Sequence, residues 1–517
     1  MEAGGDWNMI VRIMNKMVEI QSPEPLLSVL RKMKIYFPLH CGGNGTCGKC
    51  LIRVREGEIP VTSFDRQCLT EEQIKSGYRL GCKAMITQSC VLELTESKEA
   101  AFFVPSLTEN ELSLPEQAVY GVAVDIGTTT LAMALVDLGS GTVCRQYSGV
   151  NHQRSFGTDI MARIQKAVHG YGPDMQACIQ ADLAAGFKQL LSENMNIEKV
   201  VIAGNTTMMH LLRGYDCSGL GQYPFTPFSL DFEHLTMREL LGRQYPLQTA
   251  EEKWADIPVI LFPGISAFIG GDITAGLWAN EYAQAERPQL FLDLGTNAEM
   301  VLACNGRLLT ASAAAGPAFE GGHLSCGVGS VPGAIKDIKI QYGMIRYTTI
   351  GRQAPIGICG TGMVAGIAEM LRHQYIEETG LLKARYAGKG VVIVPGKIAI
   401  TQKDIREFQK AKAAIRTGLE ILMEAGDCQA EEIKALHLAG GFGSQIDGDQ
   451  AVLTGLIPDS LHGKIKAVGN GVIAGLIRYM QNPDEAAVRA MTARTEEIIA
   501  AEAEGFMDKY LNHINFK

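Results

Sequence analysis

The segment Val122-Ala123-Val124-Asp125-Ile126-Gly127-Thr128-Thr129-Thr130 decides the fold of most of this chain of 517 residues. An apolar run with strand character ends in an acid, and a glycine turn with hydroxyl and backbone donors follows it. About 170 residues later, Phe291-Leu292-Asp293-Leu294-Gly295-Thr296-Asn297-Ala298-Glu299 repeats this design. One Asp-x-Gly-Thr turn occurs by chance in many α/β proteins, whereas two in successive α/β segments indicate an internal repeat.

Each repeat has the groups that a phosphate and a magnesium ion need. Hydroxyl and backbone N–H donors in a tight turn suit phosphate oxygens, and Mg²⁺ takes few carboxylates while it keeps several waters. Asp125 and Asp293 are therefore predicted to organise Mg²⁺ and its waters. The predicted phosphate-binding residues are Gly127, Thr128 and Thr129 in one repeat and Gly295, Thr296 and Asn297 in the other. The chain has no G-x-x-x-x-G-K-[ST] loop and no G-x-G-x-x-G fingerprint in a strand-to-helix setting.

Apolar runs alternate with helical stretches from Ala118 onward, and many of these runs end in glycine-rich turns. This pattern is typical of ligand binding at the carboxyl ends of strands. The predicted strands include Gly121–Val124, Val200–Ile202, Val259–Phe262, Leu290–Leu292 and Ala435–Leu438. Thr495–Tyr510 is predicted as a terminal amphipathic helix.

Three further glycine-rich segments stand between and after the repeats. Gly440, Gly441 and Phe442 follow a strand, and they are predicted to face adenosine. Gly270–Gly276 and Gly469–Gly475 begin helices with small residues, as close packing at a hinge requires. Singly, each segment is better explained as a tight turn or a capped helix. Their order, which is phosphate loop, hinge helix, phosphate loop, adenosine loop and hinge helix, favours a functional role for the set.

The N-terminal part carries Cys41-Gly42-Gly43-Asn44-Gly45-Thr46-Cys47-Gly48-Lys49-Cys50, followed after a gap of 31 residues by Cys82. Thiolates are soft ligands that suit iron–sulfur clusters, and the glycines let the backbone wrap closely around one. The first gap has one residue more than the plant-type C-x4-C-x2-C…C pattern. The motif resembles the x5 branch of the [2Fe–2S] ferredoxins, so Cys41, Cys47, Cys50 and Cys82 are predicted to bind a [2Fe–2S] cluster.

A structural zinc site and a set of disulfides are the alternatives for these cysteines. Zinc sites favour two short C-x2–4-C pairs, and Cys82 lacks a close partner because Cys90 belongs to a strand-like run. Disulfides are not expected because no secretion signal opens the chain. Cys68 competes for the fourth ligand position, but Tyr78–Cys82 resembles the R-L-x-C segment of ferredoxins. Cys68 is otherwise explained as a small buried hydrophobe.

Residues 1–95 are predicted to form a ferredoxin-like domain of β-grasp type. Met9–Ile13 and Met17–Ile20 alternate like a hairpin, Pro25–Met33 has helical spacing, and Cys50–Arg55 and Val91–Leu94 have strand character. Residues 96–117 are mixed and polar, so they are predicted as a linker. The two repeats then predict a first α/β lobe at 118–287 and a second at 288–517 with C-terminal helices.

Composition excludes some function classes. A net charge of −9 argues against non-specific nucleic-acid binding. No run of 18 apolar residues is present, so no transmembrane helix and no membrane partner are expected. Thirteen cysteines without a paired framework, and a start without the features of an export signal, favour a reducing cytoplasm.

The motifs in this order resemble the superfamily of acetate and sugar kinases, Hsp70 and actin, which implies two ribonuclease-H-like lobes around ATP. With the ferredoxin-like part in front, nearly the whole chain resembles the ATP-dependent reductive activators of corrinoid proteins. The segments that carry the resemblance are Cys41–Cys50 with Cys82, Asp125–Thr130, Asn151–Gln153, Gly157–Ile160, Gly204–His210, Asp293–Glu299, Ala315–Gly322, Gly357–Gly362 and Gly440–Gly443.

The resemblance implies that the chain passes one electron from its cluster to Co(II) of a methyl-transferring corrinoid protein, with ATP hydrolysis, and regenerates Co(I). Plant-type clusters have potentials near about −400 mV, and the Co(II)/Co(I) couple is expected to lie lower. For one electron, each ~59 mV uphill costs a factor of ten. ATP could offset this cost by closing the lobes on the corrinoid protein. An upstream low-potential electron donor and a homodimer are further expectations.

The residue that orients the attacking water is open among Glu299, Glu320 and Asp272. Each is equally well explained as a structural acid of a helix or turn. His152, His210 and His323 could face cobalt, but hydrogen-bonded structural histidines are the simpler interpretation. Met208 and Met209 are expected in the core.

Other functions remain open from the sequence. An ATP-driven activator of a dehydratase or aromatic-ring reductase would use a [4Fe–4S] cluster between two subunits and would lack the Cys41 loop. A small-molecule kinase would need no cluster. A passive electron carrier with a degenerate nucleotide fold would not need to keep both Asp125 and Asp293.

Overall fold

The computed structural model describes residues 8–33, 35, 37, 39, 43, 45, 48, 50–94, 106–109 (backbone), 118–157, 159–192, 194–242, 253–282, 285–295, 297–322, 324–443 and 445–516. Three predicted site residues lie outside this part of the chain, namely Cys41, Cys47 and Thr296. His323, which was considered as a residue facing cobalt, also lies outside it.

The N-terminal domain contains a five-stranded mixed sheet and three short helices. Its elements are β1 (Met9–Ile13), β2 (Lys16–Ile20), β3 (Glu24–Pro25), α1 (Leu26–Lys32), β4 (Leu51–Glu56), α2 (Ser63–Cys68), α3 (Glu71–Lys75), β5 (Tyr78–Leu80), β6 (Met85–Ile86) and β7 (Cys90–Leu94). The sheet has the order β2-β1-β7-β4-β5, with β1 parallel to β7. Val11 and Ile13 of β1 and Leu26 of α1 are fully buried in one core. This is the β-grasp architecture of ferredoxins.

The first lobe follows as a seven-stranded sheet with helices on its faces. Its elements are β8 (Ser106–Glu109), β9 (Val119–Ile126), β10 (Thr130–Asp137), β11 (Val143–Val150), α4 (Ile160–Lys166), α5 (Gly172–Leu190), β12 (Asn196–Gly204), α6 (Thr206–Arg213), β13 (Glu233–Thr236), α7 (Met237–Leu241), β14 (Pro258–Leu261) and α8 (Gly271–Ala279). The sheet order is β13-β14-β12-β9-β10-β11-β8. β9, β10 and β11 are antiparallel, and β12 and β14 run parallel to β9.

The second lobe repeats this topology. Its elements are β15 (Gln289–Leu294), β16 (Ala298–Cys304), β17 (Arg307–Ala313), β18 (Ala334–Gln341), β19 (Met344–Thr349), β20 (Gly357–Ile358), α9 (Gly360–Arg372), β21 (Val391–Val394), β22 (Ile398–Ile400), α10 (Gln402–Ala425), β23 (Ala435–Ala439), α11 (Gly440–Gly443), α12 (Gly448–Leu453), β24 (Ile465–Ala467), α13 (Gly471–Gln481), α14 (Glu485–Ala493), β25 (Thr495–Glu497) and α15 (Phe506–Asn512). The sheet order is β24-β23-β15-β16-β17-β25.

Both lobes have the ribonuclease-H-like arrangement, in which three antiparallel strands are extended by two parallel ones on the side of the first strand. β9 and β15 are the equivalent first strands, and they carry Asp125 and Asp293 near their carboxyl ends. The repeat predicted from the two acid-glycine loops is therefore a structural repeat.

The two lobes exchange helices at their junction. Ile273 and Leu277 of α8 pack against the second lobe's sheet at Phe291, and Leu476 of α13 packs against the first lobe's sheet at Val201. The two helices touch through small residues, because a Cβ added to Gly475 would lie 1.9 Å from the Ala275 carbonyl oxygen. The small residues that predict hinge-facing helices are thus at the contact.

Two sequence predictions need correction. Within the predicted linker at 96–117, Ser106–Glu109 forms β8 and extends the first sheet at its β11 edge. Edge pairing uses backbone groups, so it leaves little hydrophobic signal in the sequence. Thr495–Tyr510 is not one helix, because Thr495–Glu497 pairs with β17 and α15 begins only at Phe506. Gly505 precedes α15 with a φ of +71°, which interrupts any continuous helix.

Candidate functional site

The first acid-glycine loop leaves the sheet at the carboxyl end of β9. The Asp125 carboxylate accepts a hydrogen bond of 2.9 Å from Asn470 Nδ2 at the start of α13. The loop closes tightly because Gly127 N donates to the Thr130 carbonyl at 2.9 Å. A Cβ on Gly127 would lie 3.0 Å from the Thr130 carbonyl oxygen, so this tight turn favours glycine at position 127.

Two side chains that the sequence analysis did not assign hold this loop from behind. Asn151 Nδ2 donates to the Gly127 carbonyl at 2.9 Å, and Asn151 N donates to the Thr129 carbonyl at 3.0 Å. Arg163 is fully buried and donates to the Thr128 carbonyl at 2.5 Å. A basic residue in a helical stretch gives no sign of its burial, so Arg163 could not be found from spacing alone.

The second loop has the same form in the second lobe. Asp293 of β15 stands directly opposite Glu299 of β16 in the antiparallel pair. Gly295 N donates to the Asn297 carbonyl at 2.9 Å, which closes the turn. Gly440 lies against this loop with a φ of +83°, and a Cβ there would lie 2.5 Å from Asp293 Oδ1.

Acids from both lobes converge between these loops. Burial raises the pKa of Asp125 to about 6, against the Asn470 hydrogen bond, which lowers it. Burial and then Asp125 raise the pKa of Asp272 to about 7. Burial, followed by Asp272, Asp125 and Glu320, raises the pKa of Asp293 to about 7. The mutual effects show that these carboxylates share one low-dielectric cleft.

Two further predicted acids belong to the same cluster. Glu299 is 8% exposed, and burial together with Asp272 and Asp293 raises its pKa well above the usual range. Glu320 ends the short 3₁₀ turn Pro317–Glu320, and its carboxylate accepts from the Thr129 hydroxyl of the first lobe at 3.4 Å. All three acids considered for water activation therefore lie in the cleft, together with both loop aspartates.

The acid cluster fits a magnesium ion that arrives with its own ligands. Among the described residues, no group of three acid, histidine or cysteine side chains is arranged to hold a metal ion directly. Magnesium keeps waters and binds substrate phosphates, with one or two carboxylates from the protein. A cation would also lower the raised pKa values, because it favours the charged form of each carboxylate.

In the predicted adenosine segment, there is free space beside Gly441, whereas the Phe442 ring is buried. A Cβ on Gly441 would meet no atom within 4 Å. Phe442 is 5% exposed and stacks on Phe319 at 4.9 Å between ring centroids, so its ring packs into the second lobe's core. Close by in sequence, Gln445 lines a cavity of about 510 Å³. Its other lining residues are Lys336, Asp337, Lys339, Thr361, Asp447 and Gln450.

A second cavity of about 520 Å³ lies where the two lobes face each other. Its walls include Met161 and Phe225 from the first lobe and Asn297 and Ile499 from the second. The second acid-glycine loop, through Asn297, thus borders a mainly apolar space.

The described part of the cluster loop suits an iron–sulfur ligand set. Cys50 and Cys82 place their sulfur atoms 3.2 Å apart. Gly43, Gly45 and Gly48 all have φ between +68° and +84°, a conformation that favours glycine. Cys68 lies beside the loop and its Sγ donates to the Gly45 carbonyl at 3.3 Å.

The histidines and methionines near the first loop have structural contacts. His210 is 1% exposed and uses both ring nitrogens, at 2.8 Å from the Thr206 carbonyl and 2.9 Å from Phe228 N. His152 Nδ1 lies 2.6 Å from Asp182 Oδ1. Met208 is fully buried in the first lobe's core, as predicted, and Met209 packs against it.

Comparison with known families matches the whole architecture. Residues 11–87 match the 2Fe-2S iron-sulfur cluster binding domain. Residues 120–285 match the RACo middle region, and residues 287–517 match the C-terminal domain of RACo, which is an ASKHA domain. Within the described residues, no helix is both long and apolar enough to cross a membrane.

Individual relatives align over most of their length. The chain is 29% identical to the corrinoid activation enzyme RamQ of Eubacterium limosum over 96% of this chain and 97% of that protein. It is 25% identical to the [Co(II) methylated amine-specific corrinoid protein] reductase of Methanosarcina barkeri over 77% of each chain. The solved structure of a reductive activator for corrinoid,iron-sulfur protein aligns over 98% of both chains, with a TM-score of 0.68 and 26% identity.

Proposed function

Because this chain belongs to the RACo family, we propose that it is an ATP-dependent reductive activator of a corrinoid protein. In this role it passes one electron from a [2Fe–2S] cluster to Co(II) and regenerates Co(I). The observation that carries the proposal is the joining, in one chain, of a ferredoxin-like domain and two repeated lobes whose loop acids converge on one cleft.

The cleft supplies the means for phosphoryl chemistry. Asp125 and Asp293 end equivalent strands of the two lobes, so a nucleotide between them contacts both halves of the clamp. We assign to these acids the organisation of Mg²⁺ and its waters. Gly127, Thr128 and Thr129 would donate to one set of phosphate oxygens, and Gly295, Thr296 and Asn297 to the other.

We propose that Glu299 or Glu320 orients the attacking water. Glu299 is buried beside Asp293, and burial raises its pKa, so its carboxylate accepts a proton more readily than an exposed one. Glu320 reaches across to Thr129, so its position depends on lobe closure. Gly440 and Gly441 would face adenosine through their backbones, whereas Phe442 supports them from the core.

The N-terminal domain supplies the electron. Cys41, Cys47, Cys50 and Cys82 would hold the cluster, which carries single electrons at low potential when bound. Positive φ at three loop glycines gives the loop a conformation that favours glycine. ATP can shift the lobes between an open and a closed arrangement only if ATP or its cleavage products bind the two arrangements with different affinities. The exchange of α8 and α13 between the lobes gives those two states a shared pivot.

The natural partner is proposed to be a corrinoid protein of a methyltransferase system, and the electron source a low-potential donor. Both relatives named for their activity act on corrinoid systems. A homodimer in the cytoplasm is part of the same proposal.

A visible-absorption assay tests the proposal. The anaerobically purified chain, with its cluster reduced, is mixed with a Co(II) corrinoid protein of a methyltransferase system, with and without Mg·ATP. Conversion to Co(I) is expected with Mg·ATP and to fall by at least ~100-fold in rate with Asp125→Ala, the size of loss typical for removal of a charge-stabilising group. Equal conversion without ATP, or with Asp125→Ala, would contradict the ATP-coupled part.

A further inference from the structure

Arg163 is a buried cation whose hydrogen-bond partners are all neutral. It is 0% exposed. Its Nε donates to the Gly157 carbonyl at 2.8 Å, and its two terminal nitrogens donate to the Thr128 carbonyl at 2.5 Å and to Met208 Sδ at 3.0 Å. Among the described residues, no carboxylate hydrogen-bonds with Arg163. Burial lowers its pKa to about 9, although Asp159 and Glu320 act in the opposite direction through space.

Such a charge is costly unless an anion compensates it. A thioether and two carbonyls satisfy donors but carry no charge. The side chain nevertheless lies directly behind the loop that we assign to phosphate oxygens. The compensating anion is therefore expected on the other side of that loop.

The geometry of the loop shows how Arg163 acts through it. In a trans peptide, the C=O and the N–H point in opposite directions. Asn151 holds the Gly127 carbonyl and Arg163 holds the Thr128 carbonyl, both from the protein interior. The N–H groups of Thr128 and Thr129 therefore point away from these anchors, and among the described residues neither has an acceptor. Two successive free N–H groups form an anion-binding nest.

We propose that Arg163 is a positioning residue of the nucleotide site. It orients the Thr128–Thr129 peptide so that the Thr129 N–H meets a phosphate oxygen, and its charge is completed by the bound phosphates. This inference rests on the proposed function, since it takes the ligand to be a nucleoside triphosphate. Only an arginine serves, because its planar fork reaches three acceptors at once, whereas lysine is a single point donor.

Nucleotide binding without any corrinoid protein tests the inference. The anaerobic holoprotein, with Arg163→Lys, Arg163→Ala or no substitution, is titrated with Mg·ATP, and its ATP hydrolysis is measured in parallel. Arg163→Ala is expected to weaken nucleotide binding at least tenfold and Arg163→Lys at least threefold. KM should rise by more than kcat falls, because the Thr129 N–H that Arg163 orients is proposed to bind the phosphates already in the ground state. Added guanidinium at millimolar concentration should restore part of the affinity of Arg163→Ala and none of that of Arg163→Lys.

Arg213→Met is the matched control. Arg213 is half-buried in the same lobe, and its Nε pairs with the Glu233 carboxylate at 2.8 Å. It should lower the melting temperature without changing nucleotide affinity, and guanidinium should have no effect on its binding.

The outcomes separate this inference from the proposed function. If the unsubstituted protein binds no nucleotide, the proposed function fails and the inference with it. If the unsubstituted protein binds Mg·ATP and a folded Arg163→Lys or Arg163→Ala variant binds it equally well, the inference alone is overturned. Should Arg163→Ala fail to fold, the lysine variant decides. Unchanged cluster absorbance in every variant confirms that the ferredoxin-like domain is intact.

Discussion

Asn470 Nδ2 donates a hydrogen bond of 2.9 Å to Asp125 Oδ2, although 345 residues separate the two in the chain. Asn470 is the N-cap of α13. Through this bond, the acid of the first acid-glycine loop is held by a helix that comes after the second lobe's β23 and β24 in the chain. Because α13 itself packs against the first lobe's sheet, the bond ties Asp125 to a segment that the chain contributes only at its C-terminal end.

The Asn470–Asp125 bond predicts a shift in pH dependence. Burial raises the pKa of Asp125 to about 6, and the bond from Asn470 opposes that rise. The kcat/KM of ATP hydrolysis, which reports the pKa of the free protein, should thus fall as pH drops through about 6. Asn470→Ala should move this fall to higher pH, because the opposing hydrogen bond is lost.

Asn280→Ala is the control for this pH profile. Asn280 caps α8 through the Gly276 carbonyl at 2.9 Å and is not bonded to either loop acid. An Asn470→Ala profile that coincides with those of Asn280→Ala and the unsubstituted protein would refute the role of the bond.

The buried Asp293 carboxylate is expected to lower the free energy of unfolding at neutral and higher pH. Its folded-state pKa is raised from 3.8 to about 7. Between these pH values the folded state keeps a proton that the unfolded state has lost, so the free energy of unfolding falls as pH rises through this window. Asp293→Asn should therefore raise the melting temperature at pH 8 relative to the unsubstituted protein, and the difference should vanish near pH 4.

Calorimetry at several pH values, with the exposed Asp508→Asn as control, checks this prediction. The same Asp293→Asn protein should lose at least ~99% of its ATP hydrolysis, a loss of the size seen when a charge-stabilising group is removed. A lower melting temperature at pH 8 would show that Asp293 stabilises the fold instead.

Alanine substitutions at the two adjacent glycines of the predicted adenosine segment should affect different properties, namely stability and nucleotide affinity. Gly440→Ala places a methyl 2.5 Å from Asp293 Oδ1 at a φ of +83°, so it should destabilise the nucleotide-free protein. Gly441→Ala adds a methyl with no atom within 4 Å, so it should leave that stability unchanged. It should nevertheless weaken Mg·ATP binding, because adenosine is proposed to occupy this space.

Denaturant unfolding and nucleotide titration measure the two effects separately. Gly388→Ala is the control, since its Cβ would also meet nothing within 4 Å. It should change neither quantity. Unchanged nucleotide affinity in Gly441→Ala would place adenosine elsewhere.

The sequence predicts those features that local chemistry determines. Asp125 and Asp293 stand at strand ends followed by glycine turns, and that local pattern suffices to locate both loops. Arg163 and Asn470 could not be predicted, since their roles arise from burial and from contact with distant segments. Phe442 is aromatic beside a predicted ligand site, but its environment is set by Phe319, which is 123 residues away in the sequence. β8 and β25 escaped prediction because edge strands pair through the backbone.

The fourth cluster ligand is predicted to be Cys82 and not Cys68. The sulfur atoms of Cys82 and Cys50 are 3.2 Å apart, whereas the Cys68 thiol donates to the Gly45 carbonyl. Cys82→Ser should change or abolish the visible and paramagnetic signals of the reconstituted cluster. Cys68→Ser should keep them, since a hydroxyl can make the same hydrogen bond. Loss of iron from Cys68→Ser with retention in Cys82→Ser would reverse the assignment.

The central claim is that one chain couples ATP cleavage to the transfer of single electrons, and an anaerobic single-turnover experiment tests it most directly. The chain is reduced, freed of excess reductant and mixed with a Co(II) corrinoid protein, with or without Mg·ATP. Cluster oxidation, Co(I) formation and ADP are followed together. Oxidised cluster and Co(I) should appear in equal amounts and only with Mg·ATP. Electron transfer of the same extent without nucleotide would contradict the account.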